Sequence, residues 1–273
     1  MRYFSVFSGI GGFEKAIQDV FPNALCVGYS EIDKYAVKVY QQHFPTHRNF
    51  GDITKINVKS LPDFDLLVGG SPCQDLSIAK NQRQGLEGNR SSLFYKYLET
   101  LRIKKPRFFL FENVASMHKK DRDIITKELG VEPVMIDAAL VSAQSRKRLF
   151  WCNWKVEQPK DRRIFLKDVL ENGYTDREKS YPLTATYAGA CVRDYFLKHQ
   201  RQLIFKVPVN KIPKNLKEIK PYIRKLTPIE CEKLQSFPIN WTKGVSNTQR
   251  YRLIGNAVNV EVIKHILRGI GGK

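Results

Sequence analysis

The N-terminal half of the chain alternates apolar segments with helical patterns, and this alternation limits the fold more than any other feature. Apolar runs that end in glycine or polar residues predict strands at 3–7, 24–33, 64–70 and 107–114. Helices are predicted over 13–21 and from Tyr35 onward. Apolar strands separated by helices are typical of a parallel sheet with helices on both faces. The sequence therefore predicts an α/β fold, which binds ligands at the carboxyl ends of its strands.

Three segments in the N-terminal half carry groups that suit a nucleoside cofactor. Glycines in FSGIGG at 7–12 let the backbone turn tightly and approach a ligand. Glu31 ends the second strand, where a carboxylate can accept hydrogen bonds from both ribose hydroxyls. Asp52, in GDI at 51–53, is predicted at a third strand end, where it suits an adenine amino group. Together these features favour a nucleoside cofactor without identifying it.

Cys73 is the candidate nucleophile. It follows a buried strand in GGSPCQ at 69–74, whereas a single cysteine is most often only a small buried apolar side chain. The polar segment that follows, 74–90, contains three cationic side chains, Lys80, Arg83 and Arg90. Cationic surroundings favour the reactive thiolate. The five cysteines are scattered and never form a CxxC pair, so neither a disulfide framework nor a metal site is expected, and a reduced cytoplasm is favoured.

Two further segments carry candidate catalytic groups. Glu112 and Asn113 follow the apolar run RFFLF; a carboxylate placed there is partly desolvated and suited to hold a proton near neutrality. A helix N-cap or a surface turn is the alternative. AQSRKRLFW at 143–151 is predicted as a strand with three polar side chains on one face, Gln144, Arg146 and Arg148. Two arginines on one face suit a phosphate, a thiolate or a base carbonyl, or simply a basic edge strand.

The charge of the chain favours a polyanionic partner. The formal net charge is +19, and Lys and Arg side chains that neutralise phosphates release condensed counterions. From about 155 to 225 prolines recur and apolar runs shorten, and 198–225 contains nine Lys or Arg against one acid, Glu218. This change in composition predicts a separate small domain with a basic face; a solvated charged surface is the alternative. We expect no signal peptide and no membrane span.

The order of these motifs resembles that of the cytosine-C5 DNA methyltransferases of the prokaryotic and phage modification type. FSGIGG, PCQ, ENV, QSRKR and RLIGNAV follow one another from Phe4 to about Val262, with a gap only in the variable middle. The resemblance implies a Rossmann-like S-adenosylmethionine-dependent methyltransferase sheet with helices on both faces and a small target-recognition domain. Its catalytic domain would be 1–155, completed by 248–273, and its recognition domain 156–247.

The resemblance also implies residue roles. Cys73 would be the nucleophile, with a catalytic set that further comprises Glu112, Asn113, Arg146 and Arg148. The S-adenosylmethionine pocket would be formed by Phe7, Ser8, Gly9, Gly11, Glu31, Ile32, Asp52, Ile53, Pro72, Leu93, Asn256, Ala257 and Val258. DNA contacts would come from Gln74, Lys80, Arg83, Arg90 and Gln144. Leu183 and Thr184 match a small recognition signature, and 226–238 resembles the motif that supports the recognition region.

The implied reaction is methyl transfer to carbon 5 of a cytosine flipped out of double-stranded DNA, through a covalent Cys73 adduct. The expected setting is a monomeric cytoplasmic enzyme, associated with the nucleoid through DNA and of the kind that can be paired with a restriction endonuclease. A tRNA cytosine-C5 methyltransferase is the main alternative, but the Cys-Phe-Thr tripeptide of that branch is absent from the sequence. A non-catalytic paralogue would not need Cys73, Glu112 and both arginines, and a dinucleotide oxidoreductase would need a full GxGxxG.

Overall fold

The computed structural model describes residues 1–71 and 93–271. The strands in these ranges are β1 Arg2–Val6, β2 Leu25–Ser30, β3 Leu66–Gly69, β4 Phe108–Val114, β5 Val134–Asp137, β6 Lys147–Cys152, β7 Leu203–Phe205 and β8 Ile223–Lys225. The α-helices are α1 Gly12–Val20, α2 Lys34–His43, α3 Leu93–Lys104, α4 Lys119–Leu129, α5 Leu166–Val169, α6 Val192–Phe196, α7 Pro228–Leu234, α8 Asn247–Asn256 and α9 Val260–Arg268. None of these helices is long and apolar enough to cross a lipid bilayer.

Six strands form one sheet in the order β2-β1-β3-β4-β6-β5. The first four run parallel, and β6 pairs with β4 in the antiparallel sense. The predicted α/β fold with a sheet flanked by helices is confirmed, and the four strands predicted from apolar runs all lie in its parallel part. β2 and β3 lie on opposite sides of β1, so the strand order reverses there. Ligands of α/β proteins bind at such a reversal, beyond the carboxyl ends of the strands.

The sheet forms because its strands are apolar on both faces. All four residues of β3 are buried, as are the last four of β1. Helix α1 buries Phe13, Ala16 and Ile17, which recur at helical spacing. Helix α2 begins at a true cap, because the carboxylate of Asp33 accepts the backbone N–H groups of Tyr35 and Ala36. These interactions fix the loops at the carboxyl ends of β1 and β2.

The chain divides into two compact units. Unit 1 comprises Met1–Ile136, Lys147–Gln158 and Ile263–Lys273; unit 2 comprises Asp137–Arg146 and Pro159–Val262. This division reflects packing alone and does not assign a function to either unit. The catalytic domain at 1–155 with 248–273 and the small recognition domain at 156–247 therefore stay predictions.

Unit 2 contains the antiparallel pair β7-β8 and helices packed around it. Helix α7 begins with a capping box, in which Thr227 and Glu230 exchange hydrogen bonds between side chain and backbone. The buried Glu230 also pairs with Arg224, with 2.7 Å between Oε1 and Nη2. The C-terminal segment 251–267 forms the end of α8 and most of α9, with a break at 257–259.

Candidate active site

Glu112 and Arg148 form an ion pair on one face of the sheet in unit 1. Glu112 lies opposite Phe150 in the β4–β6 ladder, so Arg148, two residues before Phe150, is its diagonal neighbour on the same face. The Nε of Arg148 lies 3.0 Å from Oε1 of Glu112, and both side chains are largely shielded from solvent. That Glu112 holds a proton at neutral pH stays a prediction.

Asn113 holds the segment that leads to Cys73. It faces the opposite side of β4 from Glu112 and is buried. Its amide donates hydrogen bonds to the hydroxyl and the carbonyl of Ser71, at 3.2 and 3.4 Å. Ser71 precedes Cys73 by two residues and is the last described residue before the gap. The contact fixes the backbone from which the predicted nucleophile extends.

Gly70 allows Glu112 to lie against the same segment. A Cβ atom at position 70 would stand 2.7 Å from Oε2 of Glu112 and 3.1 Å from its carbonyl oxygen. Both distances are shorter than ordinary contacts, so a side chain at position 70 would displace the carboxylate. Gly70 could not be recognised as a site residue from the sequence, because GG after a strand is a common turn signal.

We predicted that Gln144, Arg146 and Arg148 lie on one face of a strand, and this prediction is wrong for Gln144 and Arg146. Strand β6 begins only at Lys147, so Gln144 and Arg146 precede it and belong to unit 2. Gln144 is fully buried and its amide bonds within the unit, so it does not offer the DNA contact that we predicted. The guanidinium of Arg146 is buried too and donates to the carbonyls of Leu183, Gly255 and Ala257. Of the three polar side chains, Arg148 lies beside Glu112.

The loop after β1 adopts the left-handed backbone that its glycines permit. Gly9 has φ 56° and Gly11 has φ 84°, and Phe7 adopts a positive φ of 58° although it has a side chain. A Cβ at Gly11 would also stand 2.7 Å from the ring of Phe44, whereas a Cβ at Gly9 would meet nothing within 4 Å. Space is therefore left beside Gly9, at the carboxyl end of β1.

Glu31 supports this loop through its carboxylate. Oε2 accepts the N–H of Gly9, and Oε1 accepts the N–H groups of Ile32 and Asp33, each at 2.8 Å. A carboxylate offers about four acceptor positions, so one remains for a hydroxyl. Burial raises the pKa of Glu31, and the hydrogen bonds from Asp33, Gly9 and Ile32 oppose that shift. One acceptor position is thus left where we predicted contacts to two ribose hydroxyls, and the contact to a ribose stays a prediction.

Asp52 does not follow a regular strand, contrary to our prediction. It caps a short 3-10 helix at Ile53–Lys55, where its Oδ1 accepts the N–H and the hydroxyl of Thr54. The segment is held beside β2 by Asn49, a residue that sequence analysis missed. The Asn49 side chain accepts from the N–H of Gly51 and donates to the carbonyl of Glu31, at 2.9 and 3.0 Å. Asn49 thus joins the two segments predicted to contact a cofactor.

The remaining predicted residues fall in three groups. In unit 1, Ser8 and Ile53 are buried, Leu93 begins α3, and Ile32 is 72% exposed, an unusual value for a large apolar side chain. Asn256, Ala257 and Val258 lie in unit 2. Pro72, Cys73, Gln74, Lys80, Arg83 and Arg90 lie outside the described residues. Within residues 1–71 and 93–271, no group of three or more His, Cys, Asp or Glu side chains is arranged to hold a metal ion.

Comparison with known proteins identifies the family. The family model of the C-5 cytosine-specific DNA methylases matches residues 1–203 and 195–272, almost the whole chain. The chain therefore belongs to the C-5 cytosine-specific DNA methylases. The resemblance inferred from the order of the motifs is confirmed.

Individual relatives match over different lengths. The chain is 40% identical to the orphan methyltransferase M.SPRI of Bacillus phage SPR over 189 residues, which are 63% of this chain and 43% of that protein. It is 29% identical to the type II methyltransferase M.NlaX of Neisseria lactamica over 308 aligned residues, covering 97% and 94% of the two chains. The chain thus spans less than half of the phage relative but nearly all of the bacterial one.

A solved structure supports the fold independently. The Entamoeba histolytica methyltransferase EhMeth superimposes with a TM-score of 0.79 over 99% of this chain and 97% of that one. The two share 18% sequence identity, so the likeness concerns the fold alone.

Proposed function

We propose that the protein transfers a methyl group from S-adenosylmethionine to carbon 5 of a flipped-out cytosine in a specific double-stranded DNA sequence. The observation that carries this proposal is the Glu112–Arg148 ion pair, which lies against Gly70, three residues before Cys73. A Glu112 carboxyl group that holds a proton would donate to the ring nitrogen of cytosine and accept from its amino group, and the guanidinium of Arg148 would donate to its carbonyl. Membership of the C-5 cytosine-specific DNA methylases supports the same substrate.

The residues at the ends of β1 and β2 fit the proposed cofactor. Glu31 keeps an acceptor position for a ribose hydroxyl, Gly9 leaves space beside the loop, and the exposed Ile32 offers an apolar surface for an adenine ring. When bound, S-adenosylmethionine supplies a methyl group activated by its positively charged sulfur. Asp52 keeps its Oδ2 atom for an amino group, because the hydrogen bonds from Thr54 use Oδ1.

Residues of the chain carry the addition to the base and the stabilisation of charge on it, and water takes the proton. The Cys73 thiolate adds to carbon 6 of the base, and the electron pair of the carbon 5–carbon 6 double bond shifts onto carbon 5 and the conjugated part of the ring. Glu112 and Arg148 stabilise the charge that develops on the ring during this addition. Carbon 5 would then form its bond to the methyl group as the methyl–sulfur bond breaks, which leaves S-adenosylhomocysteine. Water would take the proton from carbon 5, the electron pair of that C–H bond would re-form the carbon 5–carbon 6 double bond, and the Cys73 thiolate would leave. The product is 5-methylcytosine with an unchanged enzyme.

The target base must leave the duplex before Cys73 can reach it. Unstacking and unpairing one base costs a few kcal/mol, which contacts to the DNA must offset. The net charge of +19 supplies a long-range attraction to phosphates for this purpose. We further propose a cytoplasmic monomer that associates with the nucleoid through DNA. Pairing with a cognate restriction endonuclease stays a prediction.

The test is methylation of a mixed-sequence duplex with labelled S-adenosylmethionine, followed by bisulfite mapping of any methylcytosine. We expect label in the DNA with the wild type and none with Cys73→Ala. The matched control is Cys191→Ala, which changes an exposed free cysteine and should leave the activity unchanged. If the cofactor binds but no label enters DNA, the DNA assignment fails, and tRNA becomes the substrate to test.

A further inference from the structure

Three buried polar side chains in unit 2 join two segments that are distant in sequence. Gln144 and Gln235 are fully buried, and Arg146 is 5% exposed. Their hydrogen bonds connect the backbone at Leu183 with the backbone at Ala257, which follows the last residue of α8. The sequence positions of the two segments are 74 apart (257 minus 183).

The hydrogen bonds form a closed ring. The N–H of Leu183 donates to Oε1 of Gln144 at 2.6 Å, and Nε2 of Gln144 donates to Oε1 of Gln235 at 3.2 Å. Nε2 of Gln235 donates to the carbonyl of Ala257 at 3.1 Å. That carbonyl also accepts from Nη2 of Arg146 at 3.0 Å, and Nη1 of Arg146 donates to the carbonyl of Leu183 at 2.7 Å. We call these five residues the polar ring.

The polar ring meets the needs of the end of α8. The last carbonyls of a helix lack partners within the helix and carry partial negative charge, so donors and cations are favoured there. Arg146 and Gln235 supply both: Arg146 also bonds the carbonyl of Gly255, and Gln235 also bonds that of Ile254. Burying a guanidinium carries a desolvation cost that good geometry must offset. A plain apolar core would avoid that cost, which suggests a positioning role for the ring.

Gly255 shows independently how closely the two segments pack. A Cβ atom there would stand 2.3 Å from both the carbonyl carbon and the carbonyl oxygen of Thr184, and 2.6 Å from the nitrogen of Ala185. The backbone at 184–185 therefore lies directly on α8, at a distance that only glycine allows. A small shift of one segment must move the other, because no space separates them.

The two joined segments match different predicted sites. Leu183 and Thr184 match the recognition signature, and Asn256, Ala257 and Val258 match cofactor residues. We propose that the polar ring couples the binding of target DNA to the binding of cofactor by holding the recognition segment in register with the cofactor segment. Gln144, Arg146 and Gln235 are then positioning residues. This inference rests on the proposed function, since it requires both DNA and cofactor to bind.

The experiment measures the dissociation constant of S-adenosylhomocysteine alone and with the duplex that the wild type methylates. In the wild type we expect the duplex to tighten binding by about fivefold or more, the lower end of usual coupling between sites. Gln144→Leu, which keeps the size of the side chain and removes its three hydrogen bonds, to Leu183, Gln235 and Leu234, should reduce this factor to below about twofold. Gln144→Glu should give an intermediate factor, because it keeps the acceptor for Leu183 and loses the donor to Gln235 and Leu234.

Thr242→Val is the control for a merely structural effect. Thr242 is fully buried in the same unit, and its hydroxyl bonds Glu232 and Arg250. Its loss should lower the melting temperature much as Gln144→Leu does and leave the coupling factor at the wild-type value. Reciprocity demands the same factor when DNA binding is measured with and without S-adenosylhomocysteine.

The outcomes separate the two proposals. The proposed role of the polar ring alone is overturned by any of three results with an active wild type. The coupling factor survives in Gln144→Leu, it falls equally in Thr242→Val, or the wild type shows no coupling. A wild type that binds S-adenosylmethionine but methylates no DNA overturns the proposed function, and the coupling proposal with it.

Discussion

Arg148 and Glu112 lie on adjacent antiparallel strands, with 3.0 Å between the guanidinium Nε and the carboxylate Oε1. The pair is held by the β4–β6 ladder and needs no loop to bring its members together. A site built on regular strands keeps its geometry better than one built on loops. Two opposite charges are thus fixed on one surface before any base arrives, which is the arrangement that stabilises charge in a transition state.

Glu112→Gln tests this arrangement. The amide keeps the size of the side chain but loses the charge and the ion pair with Arg148. We expect the single-turnover rate of methylation to fall at least about 100-fold, the lower end for removing a group that handles charge or protons in catalysis. The affinity for S-adenosylmethionine, measured by calorimetry, should not change. Glu128→Gln removes a surface ion pair with Arg102 and should be neutral; equal losses in both variants would refute the role of Glu112.

Gly70→Ala should damage the same site through a single methyl group. The added Cβ would stand 2.7 Å from Oε2 of Glu112, so the carboxylate must move. We expect a loss of at least about fivefold in kcat, because overpacking costs about 1–3 kcal/mol and every 1.4 kcal/mol in a barrier is tenfold. Gly189→Ala is the control, since the nearest atom to its Cβ would be 3.6 Å away. Wild-type kcat in Gly70→Ala would show that Glu112 need not stay in place.

Cofactor affinity should fall on acidification in a way that depends on Glu31. Burial raises the pKa of Glu31, so its carboxylate gains a proton at a higher pH than an ordinary glutamate does. Protonation uses an acceptor position and weakens the bonds from Gly9, Ile32 and Asp33. The dissociation constant for S-adenosylmethionine should therefore rise as the pH falls through the raised pKa of Glu31. In Glu31→Gln the binding should be weaker at neutral pH and lose this pH dependence, whereas a parallel profile would exclude Glu31 as the titrating group.

Glu14 should make the fold less stable as the pH rises. It is fully buried in α1, and burial raises its pKa to about 7 against the opposing effect of the hydroxyls of Ser5, Tyr40 and Ser8. The folded state therefore keeps a proton that the unfolded chain releases near pH 4.5. The contribution of this group to the free energy of unfolding therefore falls by about 3 kcal/mol between about pH 4.5 and 7, and it stays constant above that range.

The measurement is chemical unfolding across pH 4 to 9. Glu14→Gln should match the wild type near pH 4 and exceed it in stability above pH 7, because the amide never ionises. Glu132→Gln, at an exposed position, should follow the wild-type profile. The prediction is wrong if the difference between wild type and Glu14→Gln stays constant with pH.

The strands and helices that surround the site could be predicted because they are locally encoded. The apolar runs that end in glycine or a polar residue predicted the bounds of β1 to β4 to within a few residues. The helix after FSGIGG begins one residue earlier than predicted. The pairing of Glu112 with Arg148 needs more than local pattern. It depends on β6 lying antiparallel beside β4, and the residue pattern of a strand does not specify its neighbour.

The errors have the same origin. A period-two pattern at Gln144 and Arg146 suggested a strand face, but these side chains bond partners near positions 183, 235 and 257, which no local window contains. Asp52 followed an apparent strand, but the residues before it form only an isolated bridge between Tyr29 and Asn49. Long-range hydrogen bonds outweighed local propensity at both places.

The polar ring touches Leu183 only through its backbone N–H and carbonyl. Every residue type except proline offers the same two groups, so the ring does not depend on which side chains stand next to it along the segment. The hydroxyls of Thr184 and Thr186 bond each other and take no part in the ring. The ring therefore anchors this segment through its backbone alone, so under the proposed function we expect that side chains next to Leu183 can be exchanged, and the target sequence changed, without loss of this support.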